Sequence, residues 1–286
     1  MLTIRSANQT MFGVSAALFI VACYFLSALL LGFQVGPWEA VRESLVNGLL
    51  AFAWLFALHR ILRNVSVPEL PVIKRPRSEL TLLLATLAGM IMWAAMRYAG
   101  QYNLPSWLYY LLFYTVVLGV FLGSGYGAGG LGLVWPPRRG WLAVAAVIGL
   151  NLLTAVIFLI LPPGEAADLP AADMTQQISS PFSVLVLLFG LLIRGALPEE
   201  LIFRIGIQPR LSRFMPVGWA IIVQALLFNA AHFPQEFLVY GRSFWLSIGY
   251  LLSIENGLMA GYLWYRTRSL PLLLLVHLFA FSRFGI

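Results

Sequence analysis

The chain has 286 residues, 60% of them hydrophobic and only 10% charged, with a formal net charge of +7. That composition exceeds ordinary globular proteins, and runs such as 12–33 and 142–161 are apolar all round, which excludes a spanning β-barrel with its alternating strands. The basic residues are dispersed among loops, and all but Lys74 are arginines, so topology explains the charge better than nucleic-acid binding does.

Taken in order, hydropathy predicts nine membrane spans near 11–35, 44–62, 81–97, 107–123, 141–162, 182–208, 217–233, 244–265 and 269–285. The expected fold is an all-α, polytopic transmembrane helix bundle of about eight or nine spans. Arg5 ahead of the first apolar run resembles a signal peptide, but the run is long and lacks a clear cleavage site, so it reads as a retained anchor. Cys23 is the lone cysteine, which rules out an intrachain disulfide or a thiolate metal cluster. With the N-terminus inside, Arg5, Arg60, Arg63, Lys74, Arg75, Arg77, Arg138, Arg139, Arg204, Arg210, Arg213, Arg266 and Arg268 fall on the inner side. Arg42, Arg97, Arg242 and Arg283 share the other side with the acidic loop Glu165, Asp168 and Asp173, as the positive-inside rule requires.

Residues 123–132 are glycine-rich and contain a literal GxGxxG at Gly125, Gly127 and Gly130. A dinucleotide fingerprint needs a preceding strand, so a flexible turn is the expected structure. The polar stretch 163–181 divides the chain into N-terminal transmembrane helices of unassigned role, 1–180, and a second helix bundle, 181–284, that holds the buried polar groups.

Span six contains Leu197-Pro198-Glu199-Glu200-Leu201-Ile202-Phe203-Arg204. Proline followed by acids suits a helix start, but the apolar run enters without a polar linker or cap, so Pro198 is expected to kink a longer helix. Glu200 and Arg204 then share a face at i,i+4, and Glu199 projects about 100° away. An unpaired carboxylate in a low-dielectric site suits either metal binding or general-base work. His59 sits at an inner helix end and receives no role. His232 and His277 lie in apolar runs, where hydrocarbon offers no water to satisfy an imidazole, so both are candidate site residues.

A rise of ~1.5 Å per residue puts Glu199 about 13 Å, His277 about 12 Å and Glu255 about 16 Å from the inner ends of their spans. His232 stands apart at roughly 22 Å by the same rise. Asp168 and Asp173 are the only aspartates and share one loop, HExxH is absent, and Ser124 lacks a GxSG setting. Glutamate and histidine remain as the candidate chemistry.

These residues resemble the CPBP family, the CAAX prenyl proteases and bacteriocin-processing (Abi) enzymes, whose motifs are EExxxR, FxxxH and HxxxN or HxxxD. Glu199, Glu200 and Arg204 match the first motif, and Phe228 with His232 matches the second. The run 257–270 resembles the family's glycine-rich helix and turn, and His277 opens the third motif, but Phe281 stands where the family has Asn or Asp. The resemblance covers about residues 181–284. It implies an intramembrane endopeptidase in which Glu199 and His232 activate water and His277 supports a metal or the oxyanion. Glu200, Arg204 and Phe228 would hold the site. A divalent metal, zinc by donor type, would sit on Glu199, His232 and His277.

Asn256 is a candidate substitute for the missing amide, or else a helix–helix hydrogen bond. Glu255 is a candidate third carboxylate, or the counter-ion of Arg194. The resemblance further implies an integral protein of a bacterial inner membrane, contacting lipid and taking a membrane-anchored or prenylated peptide. A catalytically silent scaffold or immunity-type protein is the alternative. A proton-coupled transporter is a third, disfavoured because no inverted repeat is visible.

Overall fold

In the computed structural model, residues 17–30, 37–69, 73–100, 105–160 and 181–281 are described. The acidic loop 161–180, with Glu165, Asp168 and Asp173, falls outside them, as do the chain ends with Arg5 and Arg283. Every regular element among the described residues is helical. In chain order these are α1 (Ala17–Leu30), α2 (Pro37–Leu62), α3 (Pro76–Tyr98), α4 (Ser106–Gly123), α5 (Arg138–Ile160), α6 (181–211), α7 (Val217–Val239), α8 (Phe244–Leu251), α9 (Glu255–Thr267) and α10 (270–281). Two of them, Pro76–Tyr98 and Val217–Val239, are both long and apolar enough to cross a membrane. Ala17–Leu30, Phe52–Leu62, Trp107–Gly123 and Leu270–Phe279 are shorter apolar helices.

The surface of the bundle is apolar where a water-soluble protein would be charged. Leu18, Phe25, Phe52, Trp107, Leu122, Phe182 and Phe189 all point outward. In water such surface costs about 25 cal/mol per Å², whereas lipid chains cover it without penalty. Together with the apolar spans this marks a membrane protein.

Helix α6 runs through the middle of the bundle. Its first turns expose Phe182, Leu185 and Phe189, but from Glu200 to Leu211 every side chain is buried. Leu201, Ile202, Phe203, Ile205 and Ile207 join Leu58, Leu83, Val117, Phe121, Ala220, Met259 and Leu273 from the surrounding helices in one core. A smaller core gathers Cys23, Ile221, Ile222, Ala225, Ile254 and Leu258.

Pro198 does not break α6. The helix alternates α-turns (Pro181–Leu191, Leu197–Glu199, Gln208–Leu211) with wider π-turns at Leu192–Ala196 and Glu200–Ile207. Leu197 N–H donates to Leu192 O, five residues back. Continued for one residue, that pattern would require Ile193 O to accept from Pro198, which has no N–H. Tyr114 Oη, from α4, donates to Ile193 O instead, at 2.7 Å. The π-turn thus absorbs the proline, and a neighbouring helix satisfies the carbonyl it strands.

Helix α9 packs against α7 by contact of backbones. A Cβ on Gly257 would lie 2.6 Å from Ala225 Cα, and one on Gly261 would meet Gln224 Oε1 at 2.9 Å, so the Gly257-x-x-x-Gly261 spacing is required by the approach. Gln208 of α6 donates to Gly261 O at 3.0 Å.

The expected single span over 244–265 is instead two helices. Helix α8 ends at Leu251 and α9 begins at Glu255. The cause is Asn229 of α7, whose Nδ2 reaches the carbonyls of Leu251 and Ser253 at 3.1 and 2.6 Å, satisfying backbone groups that a helix break would otherwise strand. The glycine-rich stretch after α4 is a turn that follows a helix, with no strand before it.

Replacing Tyr114 with Phe removes only the donor to Ile193 O. We expect a loss of about 1–3 kcal/mol, the cost of one buried unsatisfied carbonyl, read as a lower unfolding temperature of the detergent-solubilised protein.

Candidate active site

Two carboxylates and two imidazoles from α6, α7 and α10 meet inside the bundle. Glu199 Oε1 lies 3.6 Å from His232 Nε2, and Glu199 Oε2 lies 3.5 Å from His277 Nε2. Glu200 Oε1 is 2.8 Å from His277 Nδ1, and Glu200 Oε2 is 3.4 Å from Arg204 Nε. The three residues expected to act together are therefore brought together. Helix α6 continues to Leu211 rather than stopping near 208, which carries Glu199 toward the level of His232 and removes part of the depth mismatch.

Both imidazoles are held by their Nδ1 atoms. His232 Nδ1 is 2.9 Å from Phe228 O, a carbonyl that can only accept, so Nδ1 carries a proton and donates it. His277 Nδ1 donates likewise to Glu200. In the neutral rings each Nε2 is then a lone pair, and both lone pairs face Glu199. Separations of 3.5–3.6 Å are long for direct hydrogen bonds and short for bare acceptors to face one another. The arrangement calls for a proton, a water or a cation in between.

Access is graded across the site. The His232 side chain is 37% exposed, Glu199 22% and His277 11%, while Glu200 and Arg204 are fully buried. The cluster is therefore open at His232 and Glu199 and closed around the Glu200–Arg204 pair.

Arg204 is neutralised from two directions. Its guanidinium contacts Glu200 and lies 4.3 Å from the centroid of the Phe228 ring, with Phe203 behind at 5.8 Å. Phe228 also packs on the His232 ring at 4.8 Å, so the aromatic residue of FxxxH joins the arginine of EExxxR to the histidine.

Two sequence expectations need correction. Glu200 is more than the partner of Arg204, because it also fixes the ring of His277 seventy-seven positions away, a contact without a local signal. Glu255 is no third carboxylate of this cluster: it accepts from Tyr24 Oη of α1 at 2.8 Å. Asn256 makes no hydrogen bond to Glu199, His232 or His277, and its Oδ1 is buried without a partner. Phe281 ends the final π-turn, and its side chain lies outside the described residues.

Glu199, His232 and His277 are of the right donor types for zinc, and their separations are near the roughly 3.4 Å between ligands sharing one tetrahedral ion with bonds of about 2.1 Å. Among the described residues, however, no group of three or more such side chains is gathered closely enough to hold an ion. The site as it stands does not form a metal cage, so the chemistry below is derived from the residues alone.

Arg204→Met leaves the Glu200 charge buried with one partner fewer, and we expect a loss of about 3–5 kcal/mol. Adding Glu200→Gln removes the stranded charge, so thermal unfolding of the double variant should recover most of that loss.

No curated protein and no solved structure matches the chain. Residues 181–280 match the family model described as type II CAAX prenyl endopeptidase Rce1-like. This segment carries the whole Glu/His/Arg cluster, and its match supports assignment to the CPBP family of CAAX-type intramembrane proteases.

Proposed function

We propose that the chain is a multi-pass intramembrane endopeptidase of the CAAX prenyl protease type that uses Glu199 and His232 to activate water. The observation carrying this reading is the pair of Nε2 atoms aimed at the two oxygens of Glu199. A water between Glu199 and His232 gives up its proton to the carboxylate and attacks the scissile carbonyl. His277, which takes up one proton from solvent at Nε2 before the substrate binds, donates to the developing oxyanion and keeps that proton when the carbonyl re-forms, and Glu200 stabilises the imidazolium through Nδ1. Glu199 then passes the proton to the leaving amine. Arg204 and Phe228 hold Glu200 and His232 in place and do not touch the substrate.

The substrate is a membrane-anchored or prenylated peptide, because the site opens among apolar helices and the family match is to CAAX-type endopeptidases. The catalytic segment is 181–284, and the N-terminal helices, 1–180, have no assigned role. The protein resides in a bacterial inner membrane. A divalent metal, zinc by donor type, is retained in the proposal. Glu199, His232 and His277 would have to close around the ion to hold it, and it would supply Lewis acidity.

A second reading, a catalytically silent family member acting as a scaffold or immunity-type protein, rests on Phe281, which has no polar group where the family has Asn or Asp.

Cleavage of prenylated and unprenylated membrane-anchored peptides by the protein in nanodiscs tests both. Wild type should cleave, and Glu199→Gln and His232→Ala should each lose about 10²–10⁴-fold. Equal turnover in all three sinks the assignment, and binding without cleavage by wild type establishes the silent reading. Dialysis against a chelator followed by zinc titration separates the metal-assisted route, in which activity falls and returns, from the metal-independent one, in which it does not change.

A further inference from the structure

A second polar site lies away from the glutamates, where α4 ends, α5 begins and α9 turns into α10. A cleft of about 390 Å³ is lined there by Gly125, Gly127, Gly129, Gly130, Tyr126, Trp264, Thr267, Arg268 and Glu69, among others. Its wall is built rather than incidental. Gly132 has φ +72°, and a Cβ on it would meet Trp264 at 2.5 Å and Arg268 O at 2.8 Å, so only glycine lets the loop close on the end of α9. Leu270 N–H donates to Gly132 O at 2.8 Å and Ser269 Oγ reaches Val134 O, tying the loop to the helix junction.

Arg268 stands at that junction in the left-handed region, φ 48°. Its side chain is only 6% exposed and lies over the Trp264 ring, yet its Nε and Nη1 are buried and donate to no acceptor. Burial pushes the guanidinium down to about 10, which leaves it charged at neutral pH. A buried cation without its hydrogen bonds is costly unless something anionic completes it. The loop offers more donors. Its internal bonds are made by the N–H groups of Gly125, Tyr126, Leu131, Gly132 and Leu133, leaving those of residues 127–130 outside that set. Lys74 Nζ stands beside Gly125 at the rim, opposite in charge to the exposed Glu69.

The geometry points to an anion-binding site in this cleft, in which Arg268 and the glycine-rich loop take a phosphate-type group. The cleft sits where helices end, the depth at which lipid headgroups lie, so the anion is either a headgroup phosphate or a free phosphate from solution. The loop does not need the βαβ setting of a dinucleotide fold for this, since backbone N–H groups and a guanidinium suffice.

Thermal unfolding of the full-length protein tests the inference and separates the two sources. In one arm, nanodiscs of phosphatidylcholine are compared with an equal mixture of phosphatidylcholine and phosphatidylglycerol. In the other, detergent-solubilised protein is titrated with inorganic phosphate against chloride at matched ionic strength. A rise in Tm of about 2–4 °C is expected in at least one arm. A rise with phosphatidylglycerol alone identifies a headgroup, and a rise with phosphate alone identifies a soluble anion. Arg268→Gln should abolish the response. Gly127→Asp, which places a carboxylate in open space at the cleft, should do the same, whereas Gly127→Ala should retain it. Gly127→Asp carries the test by itself if Arg268→Gln does not fold. No rise in either arm, or a rise undiminished in Gly127→Asp, overturns the site.

Discussion

The organisation of this bundle depends on keeping one carboxylate, Glu200, charged in a place without water. An isolated carboxylate transferred from water into such a medium would cost many kcal/mol and would be protonated instead. Glu200 avoids this by meeting Arg204 on one oxygen and the Nδ1–H of His277 on the other. Arg204 has the same difficulty and meets it only in part, with Glu200 at 3.4 Å and the face of Phe228, while its Nη1 and Nη2 are buried without a hydrogen-bond partner. The network spans α6, α7 and α10, so the charge cannot be accommodated unless all three helices are in register. Its price is that each member is indispensable to the others.

Bringing these groups together requires α6 to pass through the centre of the bundle with a proline in its middle. Regular α-geometry would force the Pro198 ring against the carbonyl four residues before it. The π-turns on either side of Leu197–Glu199 relieve this, and Tyr114 satisfies the carbonyl left over. Wide turns also begin at His277 and follow His232, at Gln235 after Pro234. Departures from α-geometry therefore lie beside the site residues, as is common where a helix must aim a side chain as well as span a distance.

Much of this was legible in the sequence, for reasons that particular residues make plain. Glu199, Glu200, Arg204, Phe228, His232 and His277 stand out because a charge or an imidazole in an apolar run is costly, and their order follows a family pattern. Pro198 announced an irregular helix, and the glycines at 125, 127 and 130 announced a turn. The pairing of Glu200 with His277 was hidden, since nothing local links positions so distant. The break after Leu251 was hidden too: residues 244–265 are as apolar as a span, and the residue that ends the helix, Asn229, belongs to another element. Depth arithmetic set Glu199 too far from His232 in part because it assumed an α6 that ended too early. The burial of Arg268 has no signature in composition at all, because it comes from a loop packed on the helix junction.

The cluster also bears on whether the site is built for chemistry or only for stability. A network whose sole task was to satisfy buried charge would end with donors facing acceptors, as Glu200 Oε1 and His277 Nδ1 do. Glu199 is arranged otherwise: both of its oxygens face imidazole nitrogens whose Nδ1 atoms are already committed as donors. Such facing lone pairs weaken a structural site and strengthen a catalytic one, because the gap must be filled by a proton, a water or a cation that the reaction can use. The gap also lies on the accessible side of the cluster, with His232 the most exposed member and Glu200 the least. The enclosed end of the cluster holds the Glu200–Arg204 pair, and the uncompensated carboxylate stands at the open end. That division of labour between neighbouring glutamates supports hydrolysis over a silent scaffold. It makes the polar group missing at Phe281 a question about oxyanion stabilisation rather than about how water is activated.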